Sequence, residues 1–94
     1  MNNLNKNLFK LNNCVILITG VSGQIGMNLA NLFLNNGCRV YGVDLKKNKI
    51  KNKNFKFYKK NISNRKNIKQ LFNDIFRKEK KIDVIINNAA VSYF

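Results

Sequence analysis

A chain of 94 residues makes one domain at most, with an ordinary apolar content of 45% and room for a modest core. Its formal charge of +14 raises nucleic acid as a partner, but fifteen lysines stand against three arginines, and asparagine fills about a fifth of the chain. That bias follows A/T-rich codons, and the residue best suited to bidentate base and phosphate contacts is scarce, so no specific nucleic acid binding is expected. No apolar run approaches a membrane span or a secretory core, so a cytoplasmic protein without membrane contact is the expectation.

After Met1 to Asn13, rich in Asn and Lys, the run Cys14 to Thr19 is apolar almost throughout, as suits a strand covered on both faces. A helix is expected from Gln24 to about Asn35, with Ile25, Leu29, Leu32 and Phe33 at helical spacing and Asn36-Gly37 as its stop. Arg39 to Val43 reads as a second strand ending at Asp44. The polar stretch Lys46 to Asn54 reads as a loop or a short surface helix. Phe55 to Tyr58 reads as a third strand, with Phe55 and Phe57 alternating onto a core face. Ser63 is the expected N-cap of a helix running to about Lys80, whose Ile68, Leu71, Phe72, Ile75 and Phe76 share one face. Ile82 to Ile86 forms the fourth strand and leads into Asn87-Asn88-Ala89-Ala90. Cys14 and Cys38 lack metal-ligand spacing and a histidine partner, so they read as small hydrophobes and no metal site is expected.

Strands separated by helices place the chain in the α/β class. The expectation is a parallel sheet with right-handed crossovers, strand order 3-2-1-4 and helices on both faces. The turn after the first strand then lies at the carboxyl edge of the sheet, where the strand order reverses and such sheets bind ligands.

That turn, Thr19-Gly20-Val21-Ser22-Gly23-Gln24-Ile25-Gly26, is the most informative segment. Between a buried strand and a helix, a glycine-rich turn presents unpaired N–H groups and the positive end of the helix dipole, a setting that holds phosphate. Gly20 lets the chain leave the strand sharply, Gly23 lets backbone approach a pyrophosphate, and Gly26 lets helix and strand pack closely. Asp44 lies twenty-four residues after Gly20, at the end of the second strand. A carboxylate there accepts both hydroxyls of an adenosine ribose and repels a 2′-phosphate. Lys46 and Lys47 soften that exclusion, so NAD is favoured over NADP.

The glycine turn, Asp44 and Asn87-Asn88-Ala89-Ala90 together resemble the short-chain dehydrogenase/reductase superfamily, a single-domain Rossmann fold. The resemblance runs along the whole chain but covers only the N-terminal portion of the family's domain. It implies an NAD(P)-dependent oxidoreductase interconverting a secondary alcohol and a ketone in the complete protein, with a dinucleotide cofactor, a small-molecule substrate and homo-oligomerisation left open. It also implies that Gly20, Ser22, Gly23, Gln24, Ile25 and Gly26 hold the pyrophosphate and that Asp44 holds the adenine ribose. Asn61 and Ile62 would line the adenine, and Asn87 would approach the nicotinamide ribose with Ala89 in the same cofactor-binding segment. Asn61 stands where the family usually carries Asp, and its amide can still accept from the adenine amino group.

Two departures accompany the resemblance. Gly23 sits one place earlier than in many simple members of the family, as in the extended members that act as nucleotide-sugar epimerases and dehydratases, whereas Asn-Asn-Ala-Ala points to the simple branch. The family's catalytic Ser, and its Tyr with a Lys four positions on, are not found: Tyr41 is followed by Leu45, Tyr58 by Ile62, and Tyr93 stands next to the last residue. No catalytic residue is therefore assigned, and Ser92-Tyr93 is not taken as one. The chain reads as the cofactor-binding portion of one domain, cut before its catalytic half, with strand four left as an apolar edge. The alternatives are an extended-type enzyme and a nucleotide-binding module without catalysis.

Overall fold

The computed structural model describes residues 11–88. Its elements follow the hydrophobic pattern closely: β1 (Val15–Thr19), α1 (Gln24–Asn35), β2 (Arg39–Asp44), β3 (Phe55–Lys59), α2 (Arg65–Glu79) and β4 (Val84–Asn87). The strands form one sheet of order β3-β2-β1-β4, every pairing parallel. β1 lies centrally, and its residues from Val15 to Ile18 are buried. Successive side chains point to opposite faces of a strand, so this one run builds two cores. Val15 and Leu17 join Tyr41, Val43, Tyr58 and the α2 residues Leu71 and Ile75. Ile16 and Ile18 join Cys38, Val40 and the α1 residues Ala30 and Leu34, with Phe55 and Phe57 packed at the margin. The helices thus cover opposite faces, as the alternating pattern requires.

Of the two forms expected for Lys46 to Asn54, a loop or a short surface helix, the structure shows the loop, ending in a turn. The differences from expectation are local. Asn64, not Ser63, caps α2: its side chain accepts the Asn67 N–H at 3.2 Å. Ser63 is drawn away because both its N–H and its hydroxyl donate to Asn61 Oδ1, at 3.0 and 2.7 Å. β4 begins two residues later than expected. Ile82 turns into the α2-side core, and Asp83 engages Val15 twice, its N–H donating to the carbonyl at 2.8 Å and its carboxylate accepting the N–H at 2.7 Å. β4 is an edge of the described sheet, with Val84 and Ile85 exposed. Both cysteines are free, and Cys38 is fully buried, where desolvation first and the neighbouring Cys14 second push its thiol pKa up. No helix among the described residues is long and apolar enough to cross a membrane.

At the end of the sheet where its strands begin, a clasp joins β2 to α2. The Tyr41 hydroxyl donates to Glu79 Oε2 at 2.5 Å, and Arg39 Nε donates to the same oxygen at 3.0 Å. Asp74 pairs with Arg77 one turn along α2, and Asp83 with Lys81 at 3.0 Å. Burial alone would raise the Glu79 pKa, but the Tyr41 hydroxyl and the Arg39 guanidinium outweigh it and hold the carboxyl below its ordinary 4.5. The Val15 amide, with Lys81, holds Asp83 below its ordinary 3.8. A carboxyl whose pKa falls on folding adds stability above its unfolded pKa and loses it as pH drops through the folded one. The urea midpoint is therefore expected to stay level from neutral pH down to about pH 5 and to fall below about pH 4. Glu79→Gln should make that fall shallower, and an unchanged slope would show that the clasp does not titrate with folding.

Candidate functional site

The carboxyl ends of the parallel strands open into a cleft of about 820 Å³, inside the range of about 300–1,000 Å³ common for small-molecule sites. One wall is the glycine turn. Gly20 has φ +66°, a left-handed conformation that glycine adopts without strain, and its N–H donates to the Val43 carbonyl at 2.9 Å. Gly26 is pressed against the turn: a Cβ there would lie 2.3 Å from the Gly20 oxygen and 2.8 Å from Val21 Cα. Gly23 is different, since a Cβ there would meet only the Gly20 oxygen, at 3.6 Å, and the rest of its surroundings is open.

Helix α1 starts here without a side-chain cap, because its N-cap residue is Gly23. The turn's hydrogen bonds occupy the N–H groups of Gly20 and Val21 (both to Val43 O), Ser22 (to Asp44 Oδ2) and Gly23 (to Gly20 O). None among the described residues uses the N–H of Gln24, Ile25 or Gly26. α2 offers the contrast, since Asn64 covers its own first turn. The sequence expectation of donors throughout positions 20 to 26 thus narrows to the first turn of α1.

The opposite wall comes from the ends of β2 and β3. Asp44 accepts the Ser22 N–H on Oδ2 and the Lys46 N–H on Oδ1, each at 3.0 Å. Each carboxylate oxygen can take a second donor, so Asp44 both shapes the turn and retains capacity toward the cleft. Leu45, 60% exposed, and the half-buried Ile62 supply apolar surface. Asn61 Oδ1 already accepts two bonds from Ser63, which fixes the amide with its Nδ2 as the remaining side-chain group.

Of the residues singled out from sequence, Gly20, Gly23, Gln24, Ile25, Asp44, Asn61 and Ile62 line the cleft. Ser22 and Gly26 support it from behind. Asn87 lies in β4, where its Oδ1 accepts the Thr19 hydroxyl at 2.9 Å. Its neighbour Asn88 lines the cleft instead, its Nδ2 donating to the Gly20 carbonyl at 3.2 Å. Ala89 and Ser92-Tyr93 lie outside the described residues. Sequence reasoning also passed over Lys60 and Ser63 as lining residues. Their signal was position, because residues that follow the ends of parallel strands face the ligand side. No group of three or more His, Cys, Asp or Glu placed to hold a metal occurs among the described residues.

The parallel order β3-β2-β1-β4, with helices on both faces and a glycine turn after the central strand β1, defines a Rossmann-type fold. The sequence profile of the short chain dehydrogenase family matches residues 14–94, and the chain belongs to that family. It is 39% identical over 82 residues to the bifunctional polymyxin resistance protein ArnA of Wigglesworthia glossinidia brevipalpis, a match covering 82% of this chain and 12% of that protein. It is 31% identical over 99 residues to the short chain dehydrogenase/reductase dpfgG of Gibberella zeae, covering 97% of this chain and 37% of that one. A short chain dehydrogenase from Leptospira borgpetersenii, solved with bound NAD+, superimposes with a TM-score of 0.82 at 33% identity, over 90% of this chain and 34% of its own. A variant of ElxO solved with NADPH bound gives 0.76 at 26% identity, over 86% and 36%. The chain thus spans little more than a third of its relatives at most.

Proposed function

We propose that residues 1–94 are the N-terminal part of a single NAD(P)-binding Rossmann domain, and that the whole protein is an NAD(P)-dependent oxidoreductase interconverting a secondary alcohol and a ketone. The observation that carries this reading is the run of amides left without a partner at the start of α1, with Gln24 and Ile25 lining the same cleft as Asp44, Leu45 and Ile62. The diphosphate would sit on the N–H groups of Gln24, Ile25 and Gly26, where the helix dipole favours negative charge. The open side of Gly23 leaves room for its oxygens. Asp44 would accept the adenine ribose hydroxyls, and adenine would lie between Leu45 and Ile62. Because Asn61 Oδ1 is already taken, its Nδ2 would donate to an adenine ring nitrogen, in place of the acceptor role expected from sequence. The bound nicotinamide would supply hydride chemistry, and the substrate groups lie beyond what this chain provides.

The Asp44 carboxylate favours a free 2′-hydroxyl, hence NAD. Lys46 and Lys60 flank it in the cleft and limit the discrimination. The free cysteines suit a reducing, cytoplasmic setting. Titration of the chain with NADH, NADPH and ADP-ribose, followed by calorimetry, tests the reading. NADH is expected to bind at least about tenfold more tightly than NADPH. ADP-ribose should match NADH, because the groups proposed here contact the adenosine and diphosphate. Absence of binding by both NADH and ADP-ribose would overturn the assignment.

A further inference from the structure

The loop after β2 is tied back onto the glycine turn by side chains from both segments. Asn48 Nδ2 donates to the Val21 carbonyl and to Ser22 Oγ, each at 3.3 Å, while its Oδ1 accepts the Ile50 N–H at 2.8 Å. Ser22 Oγ donates onward to the Lys46 carbonyl at 2.9 Å. With the two bonds from Asp44 to Ser22 and Lys46, the turn and the loop close into one ring of hydrogen bonds. No helix joins β2 to β3 in this chain, so these bonds, with half-buried Ile50 packed on the α1-side core, hold the loop in place.

We propose that Asn48 is a positioning residue for the dinucleotide site, its amide latching the loop from Leu45 to Ile50 onto the glycine turn and keeping the two walls of the cleft at their spacing. The proposal deepens the dinucleotide reading and rests on it. Asn48 lines no part of the cleft and acts through Val21 and Ser22. Without its donor, the loop that carries Leu45 and Lys46 must be ordered when ligand binds, and that ordering opposes binding. The Ser22 hydroxyl, given to Lys46 O, serves the same ring instead of reaching for phosphate.

Two substitutions separate the latch from the turn inside the loop. Asn48→Ala loses every bond, whereas Asn48→Asp keeps the acceptor for Ile50 N–H and loses both donor bonds. Amide hydrogen exchange on the ligand-free chain should quicken at Gly20, Val21, Ser22 and Gly23 in both variants, with the strand amides of β1 and β2 unchanged. NADH affinity of Asn48→Ala should fall about five- to tenfold, the equivalent of one net hydrogen bond. Ser22→Ala combined with Asn48→Ala should cost less than the sum of the two. Wild-type exchange in Asn48→Asp would overturn the latch, and so would wild-type NADH affinity in Asn48→Ala. If the unmodified chain binds neither NADH nor ADP-ribose, the dinucleotide reading falls by itself, while the exchange result still decides whether Asn48 holds the turn.

Discussion

Gly26→Ala is expected to abolish cooperative unfolding of the chain, whereas Gly23→Ala should keep the fold and lose the ligand. At Gly26 the added methyl would meet the Gly20 oxygen at 2.3 Å and Val21 Cα at 2.8 Å. Both are backbone atoms and cannot swing aside as the end of a side chain can. Relief requires moving α1 away from the turn, which disrupts packing of Ala30 and Leu34 on the sheet. Overpacking of this kind costs about 3 kcal/mol or more, comparable to the whole stability of a domain this small. At Gly23 a methyl meets one atom at ordinary distance, and the backbone there is extended, φ −75° and ψ 167°, so the fold has no objection. The methyl would instead stand in the space proposed for the diphosphate. Circular dichroism melts and NADH titration of both variants make the comparison. A wild-type melt for Gly26→Ala would show that helix and turn can part freely, and wild-type affinity for Gly23→Ala would place the ligand elsewhere.

Asp44→Ala is expected to weaken NADH binding by about a hundredfold, because two effects add. The ribose hydroxyls lose a charged acceptor, and the N–H groups of Ser22 and Lys46 lose the partners that shape the turn. Asp44→Asn separates the two, since an amide oxygen can still serve one of those N–H groups while the charge is gone. Its NADH affinity should fall between wild type and Asp44→Ala. Its preference should shift toward NADPH, with Lys46 and Lys60 then free of an opposing carboxylate in the cleft. Parallel calorimetric titrations with the two cofactors report both quantities. Equal NADH affinity in wild type and Asp44→Ala would remove the ribose role.

Most of the architecture could be read from apolar periodicity because two helices and a central strand carry strong patterns. The α1 boundaries coincide with the expectation, and the run Val15-Ile16-Leu17-Ile18 is buried on both faces. Choices between adjacent polar residues were not legible. Ser63 and Asn64 are both good caps, and what decides between them is Asn61, whose oxygen takes both Ser63 donors. Asn87 and Asn88 are chemically identical, and β4 ends between them, leaving one bonded to Thr19 and the other lining the cleft. The polarity of the loop from Lys46 to Asn54 signalled only exposure, whereas the bonds of Asn48 across the turn depend on tertiary approach that no local spacing encodes. The glycine turn was legible because its chemistry is local, yet the division between occupied and open amides needed Val43 and Asp44 brought alongside.

The chain carries four acidic residues against eighteen basic ones. Each of the four is engaged: Asp44 by the turn, Asp74 by Arg77, Glu79 by the clasp, and Asp83 by β1 and Lys81. Four carboxylates, each already engaged within the chain, leave the lysines and arginines of the surface in large excess. The counterbalance must then come from dissolved anions gathered around the molecule. Lower ionic strength lengthens the range of the repulsion between lysines that these anions screen, and the compact state is expected to weaken with it.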